Sequence, residues 1–165
     1  MTTYDAFNSG LGEVLPRLRR FAFSLSRDAA DADDLAQRTV ERALVSRDQW
    51  QPGTRLDAWL YRIARNLWID EARARVRRAK VVRPLGEDED PGFDPRPGQD
   101  AAIDLGRVMA AMGRLPDEQR EVVALILVEG FGYREAAELL GLPIGTVSSR
   151  LVRGRGALLA LLGER

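Results

Sequence analysis

The segment from Tyr133 to Ala157, YREAAELLGLPIGTVSSRLVRGRGA, carries the sharpest chemical pattern in the sequence. Its first part has helical spacing up to Leu140, and a Gly-Leu-Pro turn follows, where Gly141 can adopt the positive φ that most residues avoid. A second helical pattern begins near Ile144. Two helices joined by such a turn predict a helix-turn-helix, whose second helix inserts its N-terminal residues into the major groove of DNA.

The second helix of this motif has one apolar and one polar face. Val147 and Leu151 fill the predicted core. The outward face offers hydroxyl, guanidinium and one apolar side chain: Thr146, Ser148, Ser149, Val152, Arg153 and Arg155. Hydroxyls suit phosphates or base edges, and arginine can bind guanine through two hydrogen bonds. We therefore predict that this face binds duplex DNA; the alternative is an ordinary helical hairpin with a solvated arginine face.

A second pattern, WLYRIARNLWIDEARARVRR, covers Trp59–Arg78 and interleaves aromatic with basic side chains on one helix. Arg62, Arg65 and Asn66 lie among the aromatics. Single-stranded DNA is held by such a combination, because cations follow the backbone while rings or pockets receive unstacked bases. The alternative is that the aromatics are core residues, and we expect the two tryptophans of this helix to pack inward.

Composition excludes most catalytic mechanisms. The chain has no cysteine and no histidine, so disulfides, thiolate metal sites and imidazole chemistry are ruled out. The acidic run Asp31–Gln37 is best explained as a helical first turn that favours the helix dipole, without metal spacing. We predict no cofactor, no metal and no small-molecule substrate. The N-terminus lacks a signal-peptide pattern and no apolar run could insert in a membrane, so we expect a cytoplasmic protein that is not an enzyme.

Charge is unevenly distributed although 25 basic and 25 acidic residues give a formal net charge of zero. Residues 60–80 contain seven basic side chains against two acidic ones, and residues 87–90 are four acids in a row. Local fields, rather than the sum, guide a polyanion to a surface. A neutral chain of this kind can therefore still bind nucleic acid.

The apolar spacing predicts an all-α protein of two small domains joined by a flexible acidic linker. Helices are expected at about 4–25, 28–46, 57–80, 101–112 and 117–129, followed by the helix-turn-helix, with Pro16 able to interrupt the first. Residues 81–100 are rich in proline, glycine and acid, which predicts the linker. The predicted domains are therefore residues 1–80 and 101–165.

Three segments, taken together, resemble the extracytoplasmic-function group of bacterial sigma factors over nearly the whole chain. DADDLAQRTVERAL is similar to the polymerase-binding helix of that group, and DAWLYRIARNLWIDEARARVRR to its −10 recognition and promoter-melting helix. The segment LPDEQREVVALILVEGFGYREAAELLGLPIGTVSSRLVRGRGALL is similar to its −35-binding domain. The resemblance implies a transcription initiation factor that guides RNA polymerase to promoters.

The resemblance also implies roles for individual residues. Asp34 and Gln37 match contacts to the clamp helices of the largest subunit of core RNA polymerase. Arg62 and Asn66 match side chains that help receive a flipped −10 base, in a pocket shaped by the 47–57 loop, and Arg65 joins them in the −10 set. The residues that match −35 contacts are Ser148, Ser149, Val152 and Arg153, with Arg155 close to the phosphates.

Two positions depart from the pattern of the group. Arg38 stands where an acid is usual, so the polymerase contact is expected to be re-paired there, and Ser148 stands where a larger or basic residue is common. Implied partners are the clamp helices and flap of core RNA polymerase, promoter DNA and an anti-sigma factor. Two alternatives remain: a sigma mimic that sequesters an anti-sigma factor without binding DNA, and a one-component regulator, which would need a sensing or dimerisation domain.

Overall fold

Helices form every regular element in the parts of the chain that the computed structural model describes, residues 2–81 and 100–163. The chain divides into two units, residues 1–90 and residues 91–165. The predicted all-α class is therefore confirmed. Most of the predicted linker, residues 82–99, lies outside the described residues, and the domain bounds 1–80 and 101–165 stay predictions.

Unit 1 consists of three long helices and a short 3₁₀ turn. They are α1 (Thr3–Ser26), α2 (Ala29–Val45), the 3₁₀ turn (Arg47–Gln49) and α3 (Leu56–Val81). Local chemistry sets where the first two begin. The Thr2 hydroxyl and the Asp5 carboxylate cap each other's backbone N–H, and Asp28 Oδ1 accepts from the Asp31 N–H at 2.8 Å. Pro16 lies inside α1, which remains one helix.

Large apolar side chains from all three helices form the core of unit 1. The fully buried ones include Phe7, Leu18, Phe21, Leu35, Leu60 and Tyr61. The rings of Phe21 and Tyr61 stack with centroids 4.5 Å apart. On α2, helical periodicity predicts Leu44 among the apolar positions, but Leu44 is 40% exposed while Thr39 is buried. Thr39 is tolerated there because its hydroxyl donates to the Leu35 carbonyl at 2.7 Å.

Within the described residues, unit 2 contains four helices and one π-helical segment. They are α4 (Asp100–Gly113), α5 (Asp117–Val123), a π-helical segment (Ala124–Val128), α6 (Tyr133–Leu140) and α7 (Ile144–Gly163). The single helix predicted for 117–129 is therefore only partly regular. Its end is followed by Gly130 at φ 75°, and the turn between α6 and α7 has Gly141 at φ 65°. Both glycines adopt the left-handed conformation expected at helix ends.

A close helix crossing organises the core of unit 2. A Cβ added to Gly154 of α7 would lie 2.8 Å from Val123 Cγ2 and 3.3 Å from the carbonyl oxygen of Gln119, so only glycine fits. Arg120 of α5 is buried at 2% exposure and donates to the Leu115 carbonyl at 2.8 Å, with Asp117 as its ion-pair partner. α5 and α7 thus approach closely, and this contact fixes the inner face of α7.

Candidate nucleic-acid interfaces

A cavity of about 260 Å³ opens at one end of unit 1, between the end of α2, the 3₁₀ turn and α3. We call it the base pocket, and its lining residues are Arg42, Ser46, Gln49, Trp59, Ile63, Asn66, Leu67 and Asp70. Its walls combine an indole, aliphatic side chains, two amides, a guanidinium and a carboxylate. Such a set can pack against a flat ring and offer both hydrogen-bond donors and acceptors to its edge.

The base pocket contains one of the three side chains predicted for the −10 strand. Asn66 is exposed and lines it, whereas Arg62 and Arg65 do not. Arg62 lies one turn before Asn66 on α3 and is exposed, and Arg65 is half-buried. The structure therefore brings Asn66 to the pocket and leaves Arg62 on the helix surface beside it, where a guanidinium is available to a backbone phosphate.

Aromatic packing fixes the walls of the base pocket. The Phe7 ring, from α1, lies 5.8 Å from the Trp50 ring and 6.1 Å from the Trp59 ring, measured between centroids. Trp59 therefore packs inward, as expected, and also lines the pocket. Trp68 is half-buried, and the Arg75 guanidinium lies 5.4 Å from the centroid of its ring.

Gln49 lies in the 47–57 loop, which the family resemblance implied for this pocket, but the polar residues Arg42, Ser46 and Asp70 were not predicted. Asp70 follows Asn66 at i+4, so helical periodicity alone could have found it. Arg42 and Ser46, at the end of α2, are brought in by tertiary packing. Their sequence neighbourhood carries no pattern that connects them to α3, and only the fold could reveal them.

The beginning of α3 is fixed by a buried carboxylate. Asp57 accepts from Arg55 Nη2 at 2.9 Å, from Arg17 Nη1 of α1 at 3.2 Å and from the Ala58 N–H at 2.8 Å. Burial alone would raise the pKa of Asp57, but the hydrogen bonds from Arg55, Ala58 and Arg17 and the charge of Arg55 outweigh it, so this pKa lies below its ordinary value. The ionised carboxylate thereby ties α3 to α1.

The predicted polymerase-binding residues lie on the outer surface of α2. Asp34 and Gln37 are both exposed, and Gln37 Nε2 donates to Glu41 Oε1 at 3.4 Å. Gln37 also lines a groove of about 430 Å³ between α1 and α2. Arg38 lies within 3.9 Å of both Asp34 and Glu71, so its guanidinium pairs within unit 1.

Part of the basic block at residues 60–80 is neutralised within the protein. Glu71 contacts Arg75 at 3.4 Å and Arg78 at 3.2 Å, and Arg75 also pairs with Asp31 of α2 at 3.3 Å. Burial would raise the pKa of Glu71, but the two arginines outweigh it and hold this pKa below its ordinary value. Arg73 remains exposed on the same helix. The positive field of α3 is therefore weaker than the count of basic residues suggests.

In unit 2, α7 presents the predicted −35 face to solvent. Val147 and Leu151 are buried, as expected. The exposed members of the predicted set are Ser149, Val152, Arg153 and Arg155, while Thr146 and Ser148 are half-buried. We call these six residues the α7 face.

Contacts of the α7 face are local. Ser149 Oγ donates to the Thr146 carbonyl at 3.3 Å, and Arg153 Nε to the Ser149 carbonyl at 3.4 Å. Arg150, outside the predicted set, pairs with Glu118 of α5 at 3.6 Å. Arg150 thereby helps to hold α7 against α5. Arg153 stays exposed, so a contact with a ligand can replace its weak hydrogen bond to the Ser149 carbonyl.

Among the described residues no group of acidic side chains is placed to hold a metal ion. None of the helices in the described ranges combines the length and apolar character needed to span a bilayer.

Comparison with known families matches both units. The sigma-70 region 2 model matches residues 11–78, and the sigma-70 region 4 model matches residues 105–158. The ECF RNA polymerase sigma factor EcfG of Rhodopseudomonas palustris is 40% identical over 98% of this chain and 88% of its own length. The RNA polymerase sigma factor CarQ of Myxococcus xanthus is 33% identical over 97% of this chain and 91% of its own.

Two solved structures are similar to nearly the whole of this chain. The sigma factor RpoE of Bartonella quintana, solved with the anti-sigma factor NepR, has a TM-score of 0.85 and 36% identity, over 97% of this chain and 99% of that one. CnrH, solved with the cytosolic domain of CnrY, has a TM-score of 0.67 and 30% identity, over 96% and 88% of the two chains.

Proposed function

This chain belongs to the ECF RNA polymerase sigma factors, and we propose that it binds core RNA polymerase, recognises the −35 and −10 elements of a promoter and helps to melt the DNA. As a member of this family it is a transcription regulator rather than an enzyme. Unit 1 would bind polymerase and open the −10 element, and unit 2 would dock on the −35 duplex. No covalent bond changes, so the function rests on binding free energy alone.

The observation that carries the melting role is the base pocket with Asn66 on its wall. Its volume of about 260 Å³ lies near the lower end of small-molecule sites, about 300 Å³. Removing a base from the stack costs a few kcal/mol. Packing of the flipped base against Trp59, with hydrogen bonds from Asn66 or to Asp70, would offset part of that cost. Arg62, exposed one turn earlier, would contact the strand outside the pocket.

The −35 role is supported by the α7 face. Ser149, Val152 and Arg153 lie together on the exposed side of a helix whose other side is packed against α5. Arg153 would bind a base edge, Arg155 a phosphate, and the half-buried Thr146 and Ser148 would limit how closely the groove approaches. Two exposed arginines on this face favour DNA binding over a sigma mimic that only sequesters an anti-sigma factor.

The polymerase contact would use the exposed face of α2. Asp34 and Gln37 project from one side of the helix beside the α1–α2 groove. Arg38 turns toward Glu71, which supports the idea that its charge serves unit 1 and is not directed at polymerase. By analogy with RpoE, which was solved with the anti-sigma factor NepR, an anti-sigma factor would be a further partner of this chain.

The melting role is tested with holoenzyme reconstituted from core RNA polymerase and the full chain. Asn66→Ala is expected to slow open-complex formation on linear duplex about tenfold or more, which corresponds to a fraction of the few kcal/mol that base flipping costs. The rate should recover on a template that is already melted. Permanganate footprints of the bubble measure strand opening on both templates. Asn8→Ala is the matched control, because Asn8 is an exposed asparagine of α1 in the same unit. Unchanged footprints for Asn66→Ala would contradict the assignment.

The polymerase contact has its own test. Asp34→Lys combined with Gln37→Ala is expected to abolish assembly with core polymerase while helical content and melting temperature stay nearly constant, since both side chains are exposed. Co-elution on size exclusion measures assembly. The matched control is Glu13→Lys, a charge reversal at an exposed acid of α1 that does not line the α1–α2 groove. Normal co-elution of the double variant would remove α2 from the polymerase interface.

A further inference from the structure

The first turns of α1 contact the loop that connects α2 to α3. Tyr4 Oη donates to Asp48 Oδ1 at 3.1 Å, and the Arg47 guanidinium carbon lies 4.3 Å above the Tyr4 ring. Both partners belong to the 3₁₀ turn, 43 and 44 residues away in sequence. The hydroxyl and the ring of one side chain thus engage two consecutive loop residues.

A second contact lies one helical turn further along α1. Phe7 is 1% exposed and contacts both Trp50 of the loop and Trp59 of α3. Because the same ring packs on both, its position sets the distance between the loop and the beginning of α3. Tyr4 and Phe7, three residues apart, face the loop from the same side of the helix.

The loop is held by local turn contacts and, at its end, by the ion pair of Arg55 with Asp57 at 2.9 Å. Its backbone forms short turn hydrogen bonds, such as the Trp50 N–H to the Arg47 carbonyl at 3.1 Å and the Thr54 N–H to the Gln51 carbonyl at 3.2 Å. Residues 51–55 are exposed. The buried Nε1 of Trp50 has no acceptor among the described residues, a placement that costs about 1–3 kcal/mol. Tyr4 and Phe7 therefore link α1 to the first part of this loop, at Arg47, Asp48 and Trp50.

The same loop supplies a wall of the base pocket. Gln49 lines the pocket and lies between Asp48 and Trp50, the two residues that α1 holds. Trp59, on the other wall, is the second partner of Phe7. A shift of Tyr4 would therefore reach Gln49 through Asp48, and a shift of Phe7 would reach both walls through Trp50 and Trp59.

We propose that Tyr4 and Phe7 are positioning residues for the base pocket: they hold Gln49 and Trp59 at the spacing that selects the flipped base, without contacting DNA. This inference rests on the proposed function of the pocket. Tyr4 is the informative site, because it is 47% exposed and can be changed without emptying the core. Phe7 is buried, so its substitution would mix positioning with stability.

The test compares base selection by holoenzymes that carry Tyr4→Ala, Tyr4→Phe, Asp48→Ala or the Tyr4→Ala/Asp48→Ala pair. Open complexes are selected from a promoter library randomised in both elements and then sequenced, so that the selection itself identifies the preferred bases. Tyr4→Ala is expected to lower discrimination at one −10 position about fivefold, the size of a typical pairwise coupling. Tyr4→Phe keeps the ring beneath Arg47 and should lose less. The Tyr4→Ala/Asp48→Ala variant should lose no more base discrimination than the more strongly affected of the two single variants.

Asn8→Ala and Asn66→Ala provide the two references. A merely structural role for Tyr4 would lower the melting temperature and reduce opening equally for all four bases, and that result would overturn the inference. If Asn66→Ala loses discrimination while Tyr4→Ala behaves as Asn8→Ala does, the pocket assignment stands and the positioning role is wrong. If Asn66→Ala itself changes neither opening nor base preference, the proposed function of the pocket fails first.

Discussion

The base pocket and the α7 face are built in different ways. The pocket draws its walls from α2, the 3₁₀ turn and α3, and a fourth element, α1, packs behind two of them. The α7 face belongs to one helix, and its internal contacts, from Ser149 to Thr146 and from Arg153 to Ser149, span three or four residues. The base pocket is therefore built by tertiary contacts between several elements, and the α7 face by contacts within one helix.

This difference predicts how each site responds to substitution. A concave pocket assembled from several elements loses its shape when any supporting side chain moves, because packed side chains transmit displacement. An exposed helix face loses only the contact that is removed, provided that the helix stays anchored. The pocket should therefore be sensitive to substitutions far away in sequence. The α7 face should be sensitive to substitutions at its own residues and at Gly154, the glycine of α7 that packs against α5.

The largest expected effect is that of Phe7→Ala on unit 1. Phe7 packs between Trp50 and Trp59, and removing a buried phenyl ring costs about 3–5 kcal/mol. All three tryptophans of the chain, Trp50, Trp59 and Trp68, lie in unit 1, so fluorescence in a urea titration reports this unit alone. If Phe7→Ala unfolds unit 1 outright, Phe7→Leu, which retains part of the volume, gives a measurable midpoint.

Val45→Ala is the control for this measurement. Val45 is 85% exposed on α2, and a surface truncation of this kind should change the free energy of unfolding by no more than about 0.5 kcal/mol. A loss below about 1 kcal/mol for Phe7→Ala would mean that the pocket walls are held by other contacts. The tertiary description of the site would then be wrong.

The next effect concerns the glycine beneath the α7 face. Gly154→Ala places a Cβ 2.8 Å from Val123 Cγ2 and 3.3 Å from a backbone oxygen, and overpacking of this kind costs about 1–3 kcal/mol. Gly156→Ala is the matched control, since its Cβ would meet nothing within 4 Å and alanine is favoured over glycine in a helix by up to about 1 kcal/mol. Far-UV circular dichroism in denaturant, with unchanged tryptophan fluorescence, would assign the loss to unit 2. Equal stability of the two variants would contradict the close crossing.

Much of the α7 face could be predicted from the sequence because its geometry is local. Helical periodicity separates Val147 and Leu151 from Ser149 and Arg153, and Gly141 marks the turn before them. The start of α2 is local in the same way, since the Asp28 side chain caps its first turn. Half-burial of Thr146 and Ser148 was not foreseen, because it depends on neighbouring elements.

The base pocket was predicted only in part, for a physical reason. Asn66 was identified through the motif on α3, and the 47–57 loop through the family resemblance. Arg42 of α2 and the packing of Phe7 between Trp50 and Trp59 were not foreseen. No short-range pattern in the sequence encodes that contact. The π-helical segment at Ala124–Val128 was also missed, since its apolar spacing does not distinguish it from the ordinary helix that was predicted for 117–129.

A smaller and more specific effect distinguishes two arginines of the α7 face. Arg153→Ala is expected to weaken −35 duplex binding by about 1–3 kcal/mol and to relax base preference. Arg155→Ala should weaken all sequences alike and reduce the slope of log K against log salt by about one. Anisotropy titrations of holoenzyme on matched and scrambled −35 duplexes, at several salt concentrations, measure both. An equal loss on the two duplexes for Arg153→Ala would make it a phosphate contact.

The smallest effect is the pH dependence of unit 1, and Asp57 is its clearest source. The pKa of Asp57 is lowered in the folded state, so its carboxylate adds stability that is fully present above the unfolded value, about 3.9. That contribution is lost as pH falls through the lower, folded pKa. Asp57→Asn should therefore cost about 1 kcal/mol at neutral pH, the usual worth of a hydrogen bond, and the difference from the unmodified chain should shrink below about pH 4. Tryptophan fluorescence in urea between pH 7 and pH 3 measures it, with Asp33→Asn, at an exposed position of α2, as the control. A difference that stays constant across this range would show that ionisation of Asp57 does not stabilise the link between α3 and α1, and the base pocket would then owe its position to aromatic packing alone.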